Sequence, residues 1–247
     1  MLKKLEFIAK DAGQVILKYY DISAMGIKIK SDGSYVTNAD LGSENLIVSM
    51  LKENFPYPII TEETPCAYSK RIDWDKYWLV DPLDGTQDFI EKNDEFTINI
   101  ALIKDNQPIL GVVYAPALDL LYTGQINKGS YKNGNRIFNS SIRKKLIGAD
   151  SRHNSSNETV AFLRKHNVKK IIRAGSALKL CYLAEGKIDV YPRFNGTKEW
   201  DTAASHIICN EAGCKIIDIK TKKELVYNKK QIKNNFFIGS RVNLSFL

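Results

Sequence analysis

Histidine and cysteine, which build most zinc sites and thiol chemistries, are scarce here: three and four in a chain of 247 residues. Cys66, Cys181, Cys209 and Cys214 form no Cys-x-x-Cys pair, and the histidines do not cluster with them. The expectation is four small buried thiols in a reducing compartment rather than a metal clip. Long apolar runs are missing too. Nothing approaches the roughly 18 uninterrupted apolar residues of a bilayer span, and the run from Ile109 to Tyr122 is broken by Pro116 and Asp119. Behind Met1-Leu2-Lys3-Lys4, the residues Glu6, Lys10 and Asp11 interrupt any signal-peptide core. These absences lead to the expectation of a cytoplasmic protein without an integral membrane segment, free or peripheral at the inner membrane. Internal repeats and low-complexity linkers are also lacking.

What is present is an ordinary globular composition, 44% hydrophobic and 26% charged. The net charge is +8. The basic runs, 220–233 and Arg143-Lys144-Lys145, carry no interleaved aromatics of the RNA-binding kind. They read as solvated faces, and the excess charge suits steering of a small anionic substrate, with no nucleic-acid partner.

Apolar residues at helical spacing from Leu5 to Tyr19 predict a helix over 2–20. Asp21 to Tyr35 is polar and turn-rich. Thr37 or Asn38 can cap a second helix running to about Asn54. Strand-like runs follow at Tyr57–Thr61, Tyr77–Val80, Glu95–Lys104, Gln107–Tyr114 and Leu120–Gln125. Beyond about residue 140 the pattern alternates: helices at Ser155–Asn167, Ser176–Glu185 and Thr202–Ala212, strands at Val168–Arg173, Ile188–Tyr191, Cys214–Asp218 and Asn235–Gly239. The expectation is an α+β half over 1–140 and an α/β half over 141–247, packed as one unit with a cleft between them.

The informative segment is Trp78-Leu79-Val80-Asp81-Pro82-Leu83-Asp84-Gly85-Thr86. A buried-looking strand ends at Asp81, Pro82 stops its ladder, and Asp84 follows three residues on, so both carboxylates and the Leu83 carbonyl can face one point. Such hard oxygen donors suit Mg²⁺. Gly85 and Thr86 open a short helix whose free N–H groups favour phosphate. By itself the segment reads equally well as a turn. Glu62-Glu63, ending another strand, reads alone as a surface acidic pair. Asp201, at the start of an apolar helix, reads alone as an N-cap.

Together, Asp81-Pro82-Leu83-Asp84-Gly85-Thr86, then Trp200-Asp201-Thr202-Ala203-Ala204 continuing to Glu211-Ala212-Gly213, with Glu62-Glu63 upstream, resemble the signatures of the inositol-monophosphatase superfamily. The similarity runs from the first helix to about Gly239. Within the superfamily, Gly175-Ser176-Ala177-Leu178-Lys179, Ala184-Glu185-Gly186 and Tyr191-Pro192-Arg193 resemble the bacterial CysQ-type 3'(2'),5'-bisphosphate nucleotidases. The resemblance implies an alternating αβαβα layered sandwich, two or three Mg²⁺ ions and inhibition by lithium. It implies hydrolysis of adenosine 3',5'-bisphosphate to AMP and phosphate, with an inositol or other sugar phosphate as the alternative substrate. It assigns Glu62, Asp81, the Leu83 carbonyl, Asp84 and Asp201 to the metals, and Asp201 also to the substrate. Thr86 would pair with Glu62 to activate water, Asp40 would stand behind the metals, and Gly85 and Thr86 N–H groups would hold the scissile phosphate. Lys30 matches a basic residue near the phosphate. A bisphosphate needs a second anion site, for which Ser176, Lys179 and Arg193 are the candidates. Ser151-Arg152-His153 is a candidate wall for the adenine or ribose, while His166 and His206 read as structural. A monomer and a homodimer are both compatible with the sequence.

Overall fold

The computed structural model describes residues 1–20, 25–31, 33–139 and 143–241. The beginning of the expected polar stretch at Asp21 and the expected boundary between residues 140 and 141 lie outside them. The helix α1 (Leu2–Tyr20) buries Leu5, Ile8, Ala9, Ala12 and Ile16, one stripe of a 3.6-residue period. A small antiparallel ribbon follows, β1 (Lys28–Ile29) with β2 (Tyr35–Val36). The helix α2 (Asn38–Asn54) starts on a capping box: the Thr37 side chain accepts from the Ala39 N–H, and Asp40 accepts from the Thr37 N–H at 2.7 Å.

Seven strands form the first large sheet in sequence order: β3 (Ile59–Thr61), β4 (Lys76–Asp84), β5 (Thr97–Lys104), β6 (Gln107–Ala115), β7 (Leu120–Gln125), β8 (Gly129–Lys132) and β9 (Asn135–Ile137). Only β3 and β4 run parallel. Two short helices, α3 (Tyr68–Arg71) and α4 (Thr86–Ile90), flank β4 in sequence. The second half supplies β10 (Ile147–Ser151), α5 (Asn157–Lys165), β11 (Lys170–Ala174), α6 (Leu178–Ala184), β12 (Val190–Arg193), α7 (Trp200–Glu211), β13 (Lys215–Asp218) and β14 (Phe237–Ser240). Its five strands form a mixed sheet in the order β11-β10-β12-β14-β13.

Alternate residues of the central strands face different layers. Trp78, Val80, Ile98, Ile100, Leu110 and Val112 point to α1 and α2; Tyr77, Leu79, Ala101, Ile103 and Val113 point to α6 and α7. The α6–α7 pair lies against both sheets, and α5 covers the outer face of the second. The result is the αβαβα sandwich. In the middle layer every residue of α6 is buried, so its sequence shows no polar stripe. Among the described residues no helix is long and apolar enough to cross a membrane.

The seat of α7 is cut by glycines. A Cβ on Gly111 would lie 2.4 Å from the Ala204 carbonyl oxygen, and one on Gly124 would lie 2.8 Å from the Ile208 Cα. These backbones cannot give way cheaply, because α7 is locked between two sheets. Gly111→Ala is therefore expected to destabilise the protein by about 1–3 kcal/mol. Urea unfolding measures this, and an unchanged midpoint would contradict the close seat.

Candidate active site

Register brings the first two carboxylates together. Thr61 pairs with Val80 in the parallel β3–β4 ladder, and the Glu62 N–H extends it by donating to the Val80 carbonyl at 3.1 Å. Glu62 therefore emerges beside Asp81. Asp81 and Asp84, three residues apart, would face opposite sides of a regular strand. Between them the β4–β5 register slips: Asp81 opposes Asn99 and Asp84 opposes Thr97. Three steps on β4 match two on β5, a bulge that turns Asp84 towards the side of Asp81. Asp81 Oδ1 accepts from the Leu83 N–H at 3.1 Å, and the Ser43 hydroxyl donates to the Pro82 carbonyl at 2.7 Å, fixing the turn to α2.

The fourth carboxylate arrives on α7. This helix begins at Trp200, so Asp201 sits in its first turn and Glu199 takes the N-cap position expected for it. Asp201 Oδ2 accepts from the Lys198 N–H at 2.8 Å. Carboxylate oxygens of Glu62, Asp81 and Asp201 lie within 4.8 Å of one another. Burial raises the Asp81 carboxyl well above the ordinary range, and the charges of Glu62, Asp84 and Asp201 raise it further. Burial, then Asp84 and Glu62, does the same to Asp201. Burial lifts Asp84 to about 6, although Lys179 and a 3.3 Å bond from the Asn99 amide act against the rise. The donor set fits a hard divalent cation: the oxygens are carboxylates, they repel one another, and the buried Asp81 Oδ2 has no partner.

Two further groups adjust this centre. Lys30 places its Nζ 2.8 Å from Glu62 Oε1 and 2.6 Å from Glu63 Oε1. Burial acts to lower its pKa, but Glu62 and Glu63 outweigh it and the ammonium is held charged. Thr86 does not take the partner expected from the family resemblance. Its hydroxyl lies 3.2 Å from Asp40 Oδ1 and 3.4 Å from the Leu83 carbonyl oxygen. The reason is local: Lys30 draws Glu62, whereas the capping box occupies Asp40 Oδ2 with both Thr37 donors and leaves Oδ1 for Thr86. Burial raises the Asp40 carboxyl despite those hydrogen bonds.

A cleft of about 500 Å³ opens over the carboxylates, within the range of small-molecule sites. Glu62, Leu83, Asp84, Gly85, Thr86 and Asp201 line it together with Ser151, His153, Ser176, Lys179 and Arg193. Gly85 is left-handed at φ 89°, which lets the chain turn from the strand into α4. Lys179 is buried, and its Nζ donates to the carbonyls of Ala174 and Ser176. Desolvation lowers its pKa to about 8. The Arg193 Nε and the Ser176 Oγ are buried without a partner. Arg152 is absent from this lining; it turns to Glu95 instead. His153 is held by Asp88, 2.9 Å from its Nε2, a pairing across 65 residues that no local motif announces. His206 is wholly buried against Tyr227, and His166 packs on Phe162.

The sequence profile of the inositol monophosphatase family matches residues 1–241. The chain belongs to the inositol monophosphatase family. The 3'(2'),5'-bisphosphate nucleotidase CysQ of Salmonella typhimurium is 39% identical, with 90% of this chain and 92% of that protein aligned. The CysQ of Escherichia coli K12 is 38% identical over the same shares. Among solved structures, CysQ from Bacteroides thetaiotaomicron superposes with a TM-score of 0.86 at 35% identity, covering 96% of this chain and 95% of that one. An IMPase of Thermotoga maritima superposes at 0.82 with 26% identity, covering 97% and 92%. Family membership thus accords with the layered fold and the acidic cluster.

Raised carboxyls mean that the folded, metal-free protein holds protons more tightly than the unfolded chain. For such groups stability falls as pH rises from the unfolded carboxylate range through the folded pKa. The chelator-treated protein is therefore expected to melt at a lower temperature at pH 8 than at pH 5. A divalent cation added at pH 8 should reverse the difference. Thermal melting reads both, and a metal-free melting temperature that rises between pH 5 and 8 would contradict this electrostatic reading.

Proposed function

We propose that the protein is a Mg²⁺-dependent phosphomonoesterase, inhibited by lithium, that hydrolyses the 3'-phosphate of adenosine 3',5'-bisphosphate to give AMP and phosphate. One observation carries the choice of a bisphosphate. The cleft that holds the acidic cluster also holds three buried donors with spare capacity: Ser176 Oγ, Arg193 Nε and the third proton of Lys179. A substrate with one phosphate leaves them unpaired, and a 5'-phosphate satisfies them. The names and similarity of the nucleotidase relatives support the same substrate.

The residues divide the work. Glu62, Asp81, Asp84, Asp201 and the Leu83 carbonyl would hold two or three Mg²⁺ ions. Those ions, when bound, supply charge neutralisation at the phosphate and lower the pKa of the attacking water. Thr86, with its hydroxyl against Asp40 Oδ1, is placed to orient that water, and Asp40 to take a proton through the Thr86 Oγ. Glu62 lies on the same side once Lys30 gives way. The Gly85 and Thr86 N–H groups would receive the scissile phosphoryl group, and Asp201, through the cation it would hold, would offset the charge on the leaving oxygen. Ser176, Lys179 and Arg193 would clamp the 5'-phosphate, with Ser151 and His153 along the nucleoside between the two ends.

A phosphate-release panel tests the substrate. With Mg²⁺, adenosine 3',5'-bisphosphate should be turned over far more efficiently than inositol 1-phosphate or fructose 1,6-bisphosphate; equal or reversed preference would sink the assignment and favour a sugar phosphatase. Asp81→Asn and Asp201→Asn should each lower kcat by roughly two orders of magnitude or more. Lys179→Ala should raise KM for the bisphosphate roughly 10- to 100-fold, as expected for losing a charge-assisted bond. The wild-type KM should also rise above about pH 8, where Lys179 gives up its charge. A KM indifferent to Lys179 and to pH in this window would remove the residue from the anion site.

A further inference from the structure

The second anion subsite is carried by a turn held from both halves of the chain. Ser176 has φ 43°, a left-handed value that costs a non-glycine residue energy unless the surroundings enforce it. Lys179 depends on the same turn, since its Nζ donates to the Ala174 and Ser176 carbonyls at 3.0 and 2.6 Å. The first half of the chain reaches the same turn through Glu95. A single oxygen, Glu95 Oε2, accepts the Gly175 N–H at 2.8 Å and the Arg152 Nη2 and Nε at 2.7 and 3.0 Å. Glu95 lies in the segment between α4 and β5, two residues before the strand that opposes Asp84.

The seam is tight as well as bonded. A Cβ on Gly175 would fall 2.4 Å from Asp88 Oδ2 and 2.7 Å from the Glu95 carbonyl oxygen, and one on Gly85 would fall 3.3 Å from the Ser176 Cβ. The loop that presents the metal carboxylates and the loop that presents the second anion site are therefore packed directly against each other, with Glu95 as the clasp.

We propose that Glu95 is a positioning residue whose bonds to the Gly175 amide and Arg152 set the spacing between the cleavage centre and the second anion subsite, and thereby select bisphosphates over monophosphates. Glu95 does not line the cleft, so it acts through Ser176 and Lys179 rather than on the substrate. This rests on the bisphosphate reading above, and the test separates the two.

The experiment compares adenosine 3',5'-bisphosphate with adenosine 3'-monophosphate, which shares the scissile group and lacks the 5'-phosphate. The full chain with Mg²⁺ is used for the wild type and for Glu95→Ala, Glu95→Gln and Arg152→Ala. Glu95→Ala is expected to raise KM for the bisphosphate about tenfold with kcat within about twofold, and to leave kcat/KM for the monophosphate within about twofold. Glu95→Gln, which keeps an acceptor for the Gly175 amide, should fall between it and the wild type. Arg152→Ala, at a solvent-exposed side chain, should shift the bisphosphate KM in the same direction and carries the test should Glu95→Ala fail to fold. Equal losses on both substrates, or an unchanged bisphosphate KM in all three variants, would overturn the clasp while the wild-type preference stands. A wild type that does not prefer the bisphosphate would overturn both, because no second anion would remain to be positioned.

Discussion

Repulsion among carboxylates that share one small volume is the constraint on which the rest of the structure depends. Glu62, Asp81 and Asp201 come from a parallel ladder end, a bulged strand and the first turn of a helix 120 residues downstream of Asp81. No single segment could gather them, and none would hold them together unaided. The fold supplies the restraint. The β4–β5 bulge aims Asp84 to the same side as Asp81, and the side-chain-free surface at Gly111 and Gly124 lets α7 lie close enough to deliver Asp201. Lys30 offsets part of the charge from solvent, through Glu62 and Glu63. What remains is an unpartnered oxygen on Asp81 and carboxyls that favour their protons, a state that a divalent cation relieves.

The same geometry gives the cleft two signs. Acidic groups stand on the first sheet and the head of α7, and the cationic pair Lys179 and Arg193 stands on the second-half wall. Lys179 and Asp84 influence each other: Asp84 favours the ammonium and Lys179 the carboxylate, each against its own desolvation. A ligand carrying two separated phosphates, with cations at one end, complements such a surface better than a neutral sugar ring would. The spacing between the two ends is held by the seam at Gly85, Asp88, Glu95 and Gly175, not by either half alone.

The sequence disclosed the chemistry further than the arrangement. Asp81-Pro82-Leu83-Asp84 and Asp201 are visible as local motifs, although the strand expected to end at Asp81 runs on through a bulge to Asp84, because β5 keeps pairing with it beyond Pro82. The long strands are legible from their apolar runs, with boundaries off by two to four residues, as at Glu95 against Thr97 and at Val80 against Asp84. The helix α6 shows no amphipathic stripe, because burial on both sides erases its polar face. The exchange of Glu62 for Asp40 as the partner of Thr86 could not be read, since it turns on Lys30 reaching back across a ribbon. Asp88 with His153, Asn99 with Asp84, and Glu95 with Gly175 likewise escape one-dimensional reading: each is a pairing between elements whose proximity is settled by the sheets. Arg152, adjacent to two cleft residues, was misplaced into the wall because sequence adjacency does not reveal that an exposed side chain turns the other way.

The central claim, that a cation replaces protons and a lysine in quieting this cluster, is tested most directly by counting protons on metal binding. Calorimetric titration of the metal-free protein with Mg²⁺ at pH 6, in buffers of different ionisation enthalpy, yields that number. The account predicts net proton release at pH 6 that diminishes towards pH 8 and is reduced in Asp81→Asn. Binding with no proton release at either pH would contradict it.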